Sequence, residues 1–267
     1  MKTAIRQQYH AFIAESLKNK RSKIIWITFL AFAIAPIFGA LLMYLMKDGS
    51  YDGLSGILKS KAVIFSFTSD WNSYLSLLSQ AVGVGGVVIF GFAAAWLFGR
   101  EFSDGTAKDL LSLPISRTMI LNAKFIYYIV WCLALAISNL LLGLLFGSVL
   151  QISGWKAGML IDNLKVYFIT TMMTILLNTA IAFFAVTGKG YLAPLGIVIT
   201  ALVLAQILGA LGMGIYFPWA IPGIFSGSGG AQLRSQLNLI SYSVLLVTCV
   251  MGYLGTILWW KYADQTK

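Results

Sequence analysis

The sequence predicts an all-α integral membrane protein built as one membrane-embedded domain over residues 1–267. Two observations carry this. The chain is 59% hydrophobic and 10% charged, whereas a soluble domain has about 25% charged residues. It also contains six apolar runs that meet or approach the roughly 20 residues a helix needs to cross a bilayer core of about 30 Å.

The first element, Met1 to Lys23, is read as a helix lying in the membrane interface. Ile5, Tyr9, Phe12, Ile13 and Leu17 recur at helical spacing, and Lys18, Lys20, Arg21 and Lys23 follow them. No cleavable signal peptide is expected, because a polar-rich segment precedes a first apolar run of full spanning length. The six spans are expected near residues 24–46, 74–98, 125–150, 164–186, 192–211 and 239–260. Pro36 is a candidate kink in the first, since proline lacks the amide hydrogen that would bond one turn back.

Of the connections, 47–73 is moderately long, with an apolar patch at Val63 to Phe67, and 151–163 is short. Residues 212–238 contain GIYFPWAIPGIF and then GSGG. That is too apolar for an ordinary loop and too broken by Pro218, Pro222 and Gly223 to span. A short re-entrant or interfacial hairpin on the outer side is expected, with Phe217 and Trp219 at headgroup level. The two halves of the chain do not echo each other as repeats.

Lysine and arginine set the orientation. With the N-terminus in the cytoplasm, thirteen of the 19 fall on inner segments and six on outer ones. Both termini are therefore expected inside. The net charge of +10 is spread over loops, with no soluble module to present it. It suits anionic headgroups of the lipid bilayer rather than nucleic acid.

Nothing in the chain supports an enzyme. It has no phosphate-loop motif of the Gly-x-x-x-x-Gly-Lys-Ser/Thr kind, no His-Glu-x-x-His, no Gly-x-Ser-x-Gly and no cluster of His or Cys. Catalytic, cofactor and metal residues are accordingly expected to be none. Cys132 and Cys249 lie in apolar runs and read as buried thiols. Apart from Lys165 at the start of the fourth, none of the six runs contains a carboxylate, lysine or arginine, which counts against a stand-alone secondary transporter. The polar residues inside them are amides and hydroxyls, among them Gln80, Asn139, Thr170, Thr174, Asn178 and Gln206. Thr170, Thr174 and Asn178 share one helix face. These groups read either as hydrogen bonds between helices or as a substrate path or subunit seam. Gly83, Gly85, Gly86 and Gly91 read as a surface of close helix contact.

The stretch from Gly99 to Lys124, GREFSDGTAKDLLSLPISRTMILNAK, is the longest polar interruption between apolar blocks. Thr106 with Asp109 fits a helix cap and its reciprocal acid. Pro114 ends that short helix, and Ser116 is placed to cap the next. Charge counting puts this loop in the cytoplasm.

The loop resembles the cytoplasmic loop of the ABC-2 type permeases, the membrane subunits of a class of ABC exporters. The matching order is Glu101, then Gly105 and Thr106, the leucines Leu110 and Leu111, Pro114, Arg117 and Lys124. An interfacial N-terminal helix, six spans, both termini inside and a broken hairpin before the last span are similar in organisation. The resemblance implies a coupling helix near Thr106 to Leu113 that docks on a separate ATP-binding subunit. Glu101, Gly105, Thr106, Lys108, Asp109, Leu110, Leu111, Pro114 and Arg117 would form that contact. ATP and magnesium would sit on two ATPase copies, and a second permease chain, identical or related, would complete the transporter.

The location implied is the bacterial plasma membrane. Permeases of this size and loop pattern resemble those that export or clear membrane-active peptides, as in bacitracin-type resistance and peptide immunity. Sodium or other small-molecule export falls within the same family. A non-transporting sensor or assembly partner is the alternative class.

Overall fold

A computed structural model describes residues 2–48, 69–106 and 116–262. Among these the chain is helical, without a β-strand; an isolated bridge pairs Asp70 with Ser153. In chain order the helices are α1 (Lys2–Asn19), α2 (Lys23–Asp48), α3 (Trp71–Ser103), α4 (Arg117–Val149), α5 (Ala157–Thr187), α6 (Leu192–Ala210), the short α7 (Ile221–Ser226) and α8 (Gly230–Ser235), and α9 (Leu239–Tyr262). Six of them, α2 to α6 and α9, are long and apolar enough to cross a membrane.

Several helices overrun their apolar runs. α3 and α4 have 33 residues each, about 50 Å at 1.5 Å per residue, against a core of about 30 Å. The excess at one end brings Arg100 and Glu101 into α3 and Lys124 into α4. Gly105, at φ +72°, then ends α3 in a left-handed conformation that favours glycine. Ser116 opens α4 by accepting a hydrogen bond from the Met119 amide at 3.3 Å.

Helices α3 and α5 form the centre of the bundle and are its most buried spans, while α2, α6 and α9 mostly face outward. Small residues allow the close approaches. A methyl group built on Gly99 would lie 2.5 Å from the Gly190 carbonyl carbon, so the α5–α6 turn seats directly on α3. Of the glycines read as a contact surface, Gly83, Gly86 and Gly91 each face a neighbouring element, while Gly85 meets open space.

Pro36 has a structural counterpart on α4. Its missing amide hydrogen frees the Phe32 carbonyl, and the Asn139 amide donates to that oxygen at 3.0 Å. Tyr167 completes the arrangement, donating to Ala136 O at 2.7 Å and to Asn139 Oδ1 at 3.3 Å. Asn139 is thus fully engaged in holding α2, α4 and α5 together.

Two irregularities sit side by side in the centre. α3 winds as a π-helix over Ala81–Gly85, and α5 breaks at Asn178 between Ala157–Leu177 and Thr179–Thr187. Thr174 on α5 reaches the carbonyl of Val82 in the π segment at 3.5 Å.

The 212–238 connection folds into two 3-10 turns, α7 and α8. A Cβ on Gly83 would lie 2.7 Å from the Pro222 carbonyl oxygen, and Gly83 is roughly 18 Å along α3 from Trp71 by helix rise. Part of the connection therefore packs down the side of α3, as a re-entrant hairpin would, with Phe217 and Trp219 half-buried against neighbouring elements.

Candidate functional site

The loop-bearing ends of α3 and α4 are joined by a buried ionic cluster that includes α1. Lys124 on α4 is at its centre. Its ammonium lies 2.9 Å from Glu101 Oε1 on α3 and 3.3 Å from Glu15 Oε1 on α1, and it donates to the Leu97 carbonyl at 3.2 Å. Lys18 on α1 approaches Glu101 Oε1 at 2.5 Å from the solvent side. Arg100 donates to Asn19 Oδ1 at 2.6 Å, lies 3.8 Å from Glu15, and stacks over the Trp96 ring at 4.7 Å. Asn19 in turn donates to Glu15 at 3.2 Å.

Three cations and two carboxylates thus tie three elements at one point. Desolvating such charges is costly, so they persist only as a mutually paired set, and removing one member strands the others. The set is held by charge more than by saturated hydrogen bonding, since Glu101 Oε2 is buried without a partner.

α1 turns its polar residues inward for this reason. Glu15 and Asn19 are buried, while Tyr9 and Leu17 face outward. Gln8 also bonds the Met119 carbonyl, and Phe12 packs near Tyr127. Of the apolar residues at helical spacing, Tyr9 and Leu17 face outward while Phe12 and Ile13 are half-buried, and the spacing gives no sign of the inward clasp. The available signal was that Glu15 is the sole acid before Asp48.

Of the residues expected to meet a partner ATPase, Gly105 and Thr106 are exposed just beyond α3. Glu101 is not at the surface. Its carboxylate is taken up inside the chain by Lys18 and Lys124. Arg117 lies at the start of α4, and its guanidinium donates to the Trp260 and Lys261 carbonyls at 3.4 Å each, capping the end of α9. Lys108, Asp109, Leu110, Leu111 and Pro114, with the short helix they define, lie outside the described residues, as does the Val63 to Phe67 patch.

The polar groups read as hydrogen bonds or as a path divide. Thr170, Thr174 and Asn178 are buried in α5. Thr174 donates to Thr170 O at 2.8 Å and Asn178 to Thr174 O at 3.0 Å, while Thr170 Oγ1 and Asn178 Oδ1 lack partners. Gln80 bonds Ser76 within its own helix. Gln206 is exposed on α6 and lines a cavity beside α7 and α8.

Six apolar helices, with the ends of one loop clasped to an N-terminal helix, make this a multi-pass membrane protein. The chain belongs to the ABC-2 family transporter proteins, whose family model matches residues 11–205. It is similar to the bacitracin transport permease protein BCRB of Bacillus licheniformis, with 28% identity over 197 residues, 73% of this chain and 90% of that one. No solved structure matches it significantly. Family membership makes the chain a permease subunit rather than an enzyme in itself, and it implies an ATP-binding partner in a transporter complex.

Proposed function

We propose that this chain is the membrane half of an ATP-driven exporter that moves or clears membrane-active peptides or other amphiphiles. The similarity to a bacitracin transport permease supports the substrate class. The observation that carries the coupling scheme is Lys124 held between Glu101 and Glu15. Both ends of the 104–116 loop, and α1 with them, share one buried cluster, so a displacement of the loop pulls on α1, α3 and α4 together.

In this scheme both termini and the loop face the cytoplasm of a bacterial plasma membrane. Two ATPase subunits bind ATP and magnesium. The segment from Thr106 to Leu113 docks on one of them, with Leu110, Leu111 and Leu113 filling an apolar groove and Lys108 and Asp109 at its rim. ATP-driven closure of the ATPase pair carries the loop with it, and the spans rock to change access. Two permease chains, identical or related, form the pathway.

The test is transport by the assembled system with Leu110→Asp and Leu111→Asp combined. Transport of a bacitracin-type peptide is lost while the chain still inserts to wild-type levels. Wild-type transport by that variant would overturn the docking scheme.

A further inference from the structure

We infer that the turn from α1 into α2, with the side of α1 turned away from the bundle, binds the headgroups of anionic phospholipids. Lys20, Arg21 and Lys23 stand there within four residues, and all are exposed. None of the three pairs with a carboxylate among the described residues. Lys18, on the same helix, is instead drawn to Glu101. The one acid before Asp48 is Glu15, and it is buried. The turn therefore presents cations without a counter-charge of its own.

The backbone fixes that presentation. Asn19 is buried and bonded to Glu15 and Arg100. Its carbonyl accepts from the Ser22 amide at 2.9 Å, and the Ile24 amide donates to the Ser22 hydroxyl at 3.3 Å as α2 begins. A turn pinned from its inner side leaves Lys20 and Arg21 pointing away from the bundle. Farther back on α1, Arg6, Tyr9, His10 and Leu17 are exposed on the side opposite Glu15 and Asn19.

α2 sets the depth of the turn. Trp26, Ile27 and Leu30 are exposed on a helix apolar enough to span, so the surface that meets lipid begins at Trp26. Lys23 precedes it by about 4.5 Å of helix rise. Tryptophan at the edge of an apolar span marks the headgroup level. Basic side chains there keep their stems on the apolar side and their charges among phosphates, and each adds attraction to an anionic leaflet. Zwitterionic headgroups bring a cation with every phosphate, so the uncompensated charge selects anionic ones.

This surface goes beyond the exporter reading. α1 meets headgroups on one side and, through Glu15, Lys18 and Asn19, the ends of the 104–116 loop on the other. It is a strap between the leaflet and the ionic cluster.

Lipid retention tests it. The full-length protein is extracted from liposomes of equal phosphatidylglycerol and phosphatidylcholine, and the lipids it keeps are counted by native mass spectrometry. The wild type keeps phosphatidylglycerol in preference. Lys20→Gln, Arg21→Gln and Lys23→Gln combined lower that preference about tenfold. Arg21→Gln alone lowers it about fivefold and reads the same surface should the triple variant fold poorly. Lys20→Arg with Lys23→Arg keeps it. Lys156→Gln with Lys165→Gln, exposed cations at the other end of the bundle, also leaves it unchanged.

Equal retention of the two lipids by the wild type, or an undiminished preference in the triple and single glutamine variants, would overturn the site. A triple variant that keeps its lipid preference but loses an ATP-binding chain on purification would overturn it in favour of a protein partner. Lipid retention needs neither ATP nor an ATPase, so failure of the exporter reading would leave its outcome unchanged.

Discussion

Lys124 and Glu101 meet at 2.9 Å across the two ends of the 104–116 loop, each with its side chain 1% exposed. Lys18 also pairs with Glu101 and Glu15 with Lys124, so the two sit within one shared buried set. Lys124→Met leaves Glu101 and Glu15 short of a cation, and loss of one partner of a buried pair costs about 3–5 kcal/mol. The variant is expected to unfold at lower temperature in detergent. Adding Glu101→Gln should return part of that loss, since the cluster loses one charge of each sign. A double variant no more stable than the additive sum would show that the two residues are not coupled.

Asn139→Leu should destabilise by about 1–3 kcal/mol, because it strands the Phe32 carbonyl. In a Pro36→Ala background the same change should cost less, since alanine restores the amide hydrogen to that carbonyl. Thermal unfolding of the four combinations checks this. Equal cost in both backgrounds would separate Asn139 from Pro36.

Two glycines on α3 should respond oppositely to one substitution. Gly99→Ala drives a methyl into the Gly190 backbone, which cannot move aside as a side chain tip would, at about 1–3 kcal/mol. Gly85→Ala meets open space and should leave folded yield unchanged. Expression and thermal stability of the pair measure the difference.

These contrasts mark what sequence reasoning reaches. The spans were legible because bilayer thickness imposes a length and a composition that any window along the chain reveals. The Ser116 cap was legible because capping is local. The clasp was not, because Lys18 and Glu101 are separated by 83 residues, and charges that flank an apolar run look the same whether they meet water or one another. The break at Asn178 and the π segment at Ala81–Gly85 were hidden for a related reason. Both occur where the composition stays apolar and no proline intervenes, so only the packing of α3 on α5 reveals them.

Arg117 illustrates a position whose residue type was informative and whose partner was not. A basic residue after Pro114 fits a partner-facing rim, yet its guanidinium caps α9. Arg117→Ala should cost about 0.5–1 kcal/mol of stability through the lost end-cap and leave ATPase association intact. Lost association with unchanged stability would return Arg117 to the partner surface.

The central claim is that the 104–116 loop docks an ATP-binding subunit, and affinity purification from native membranes tests it most directly. The account predicts that an ATP-binding chain accompanies the wild-type protein and is lost from the Leu110→Asp, Leu111→Asp variant, which still inserts. Purification of the wild type without any ATP-binding chain, or retention of that chain by the variant, would contradict it.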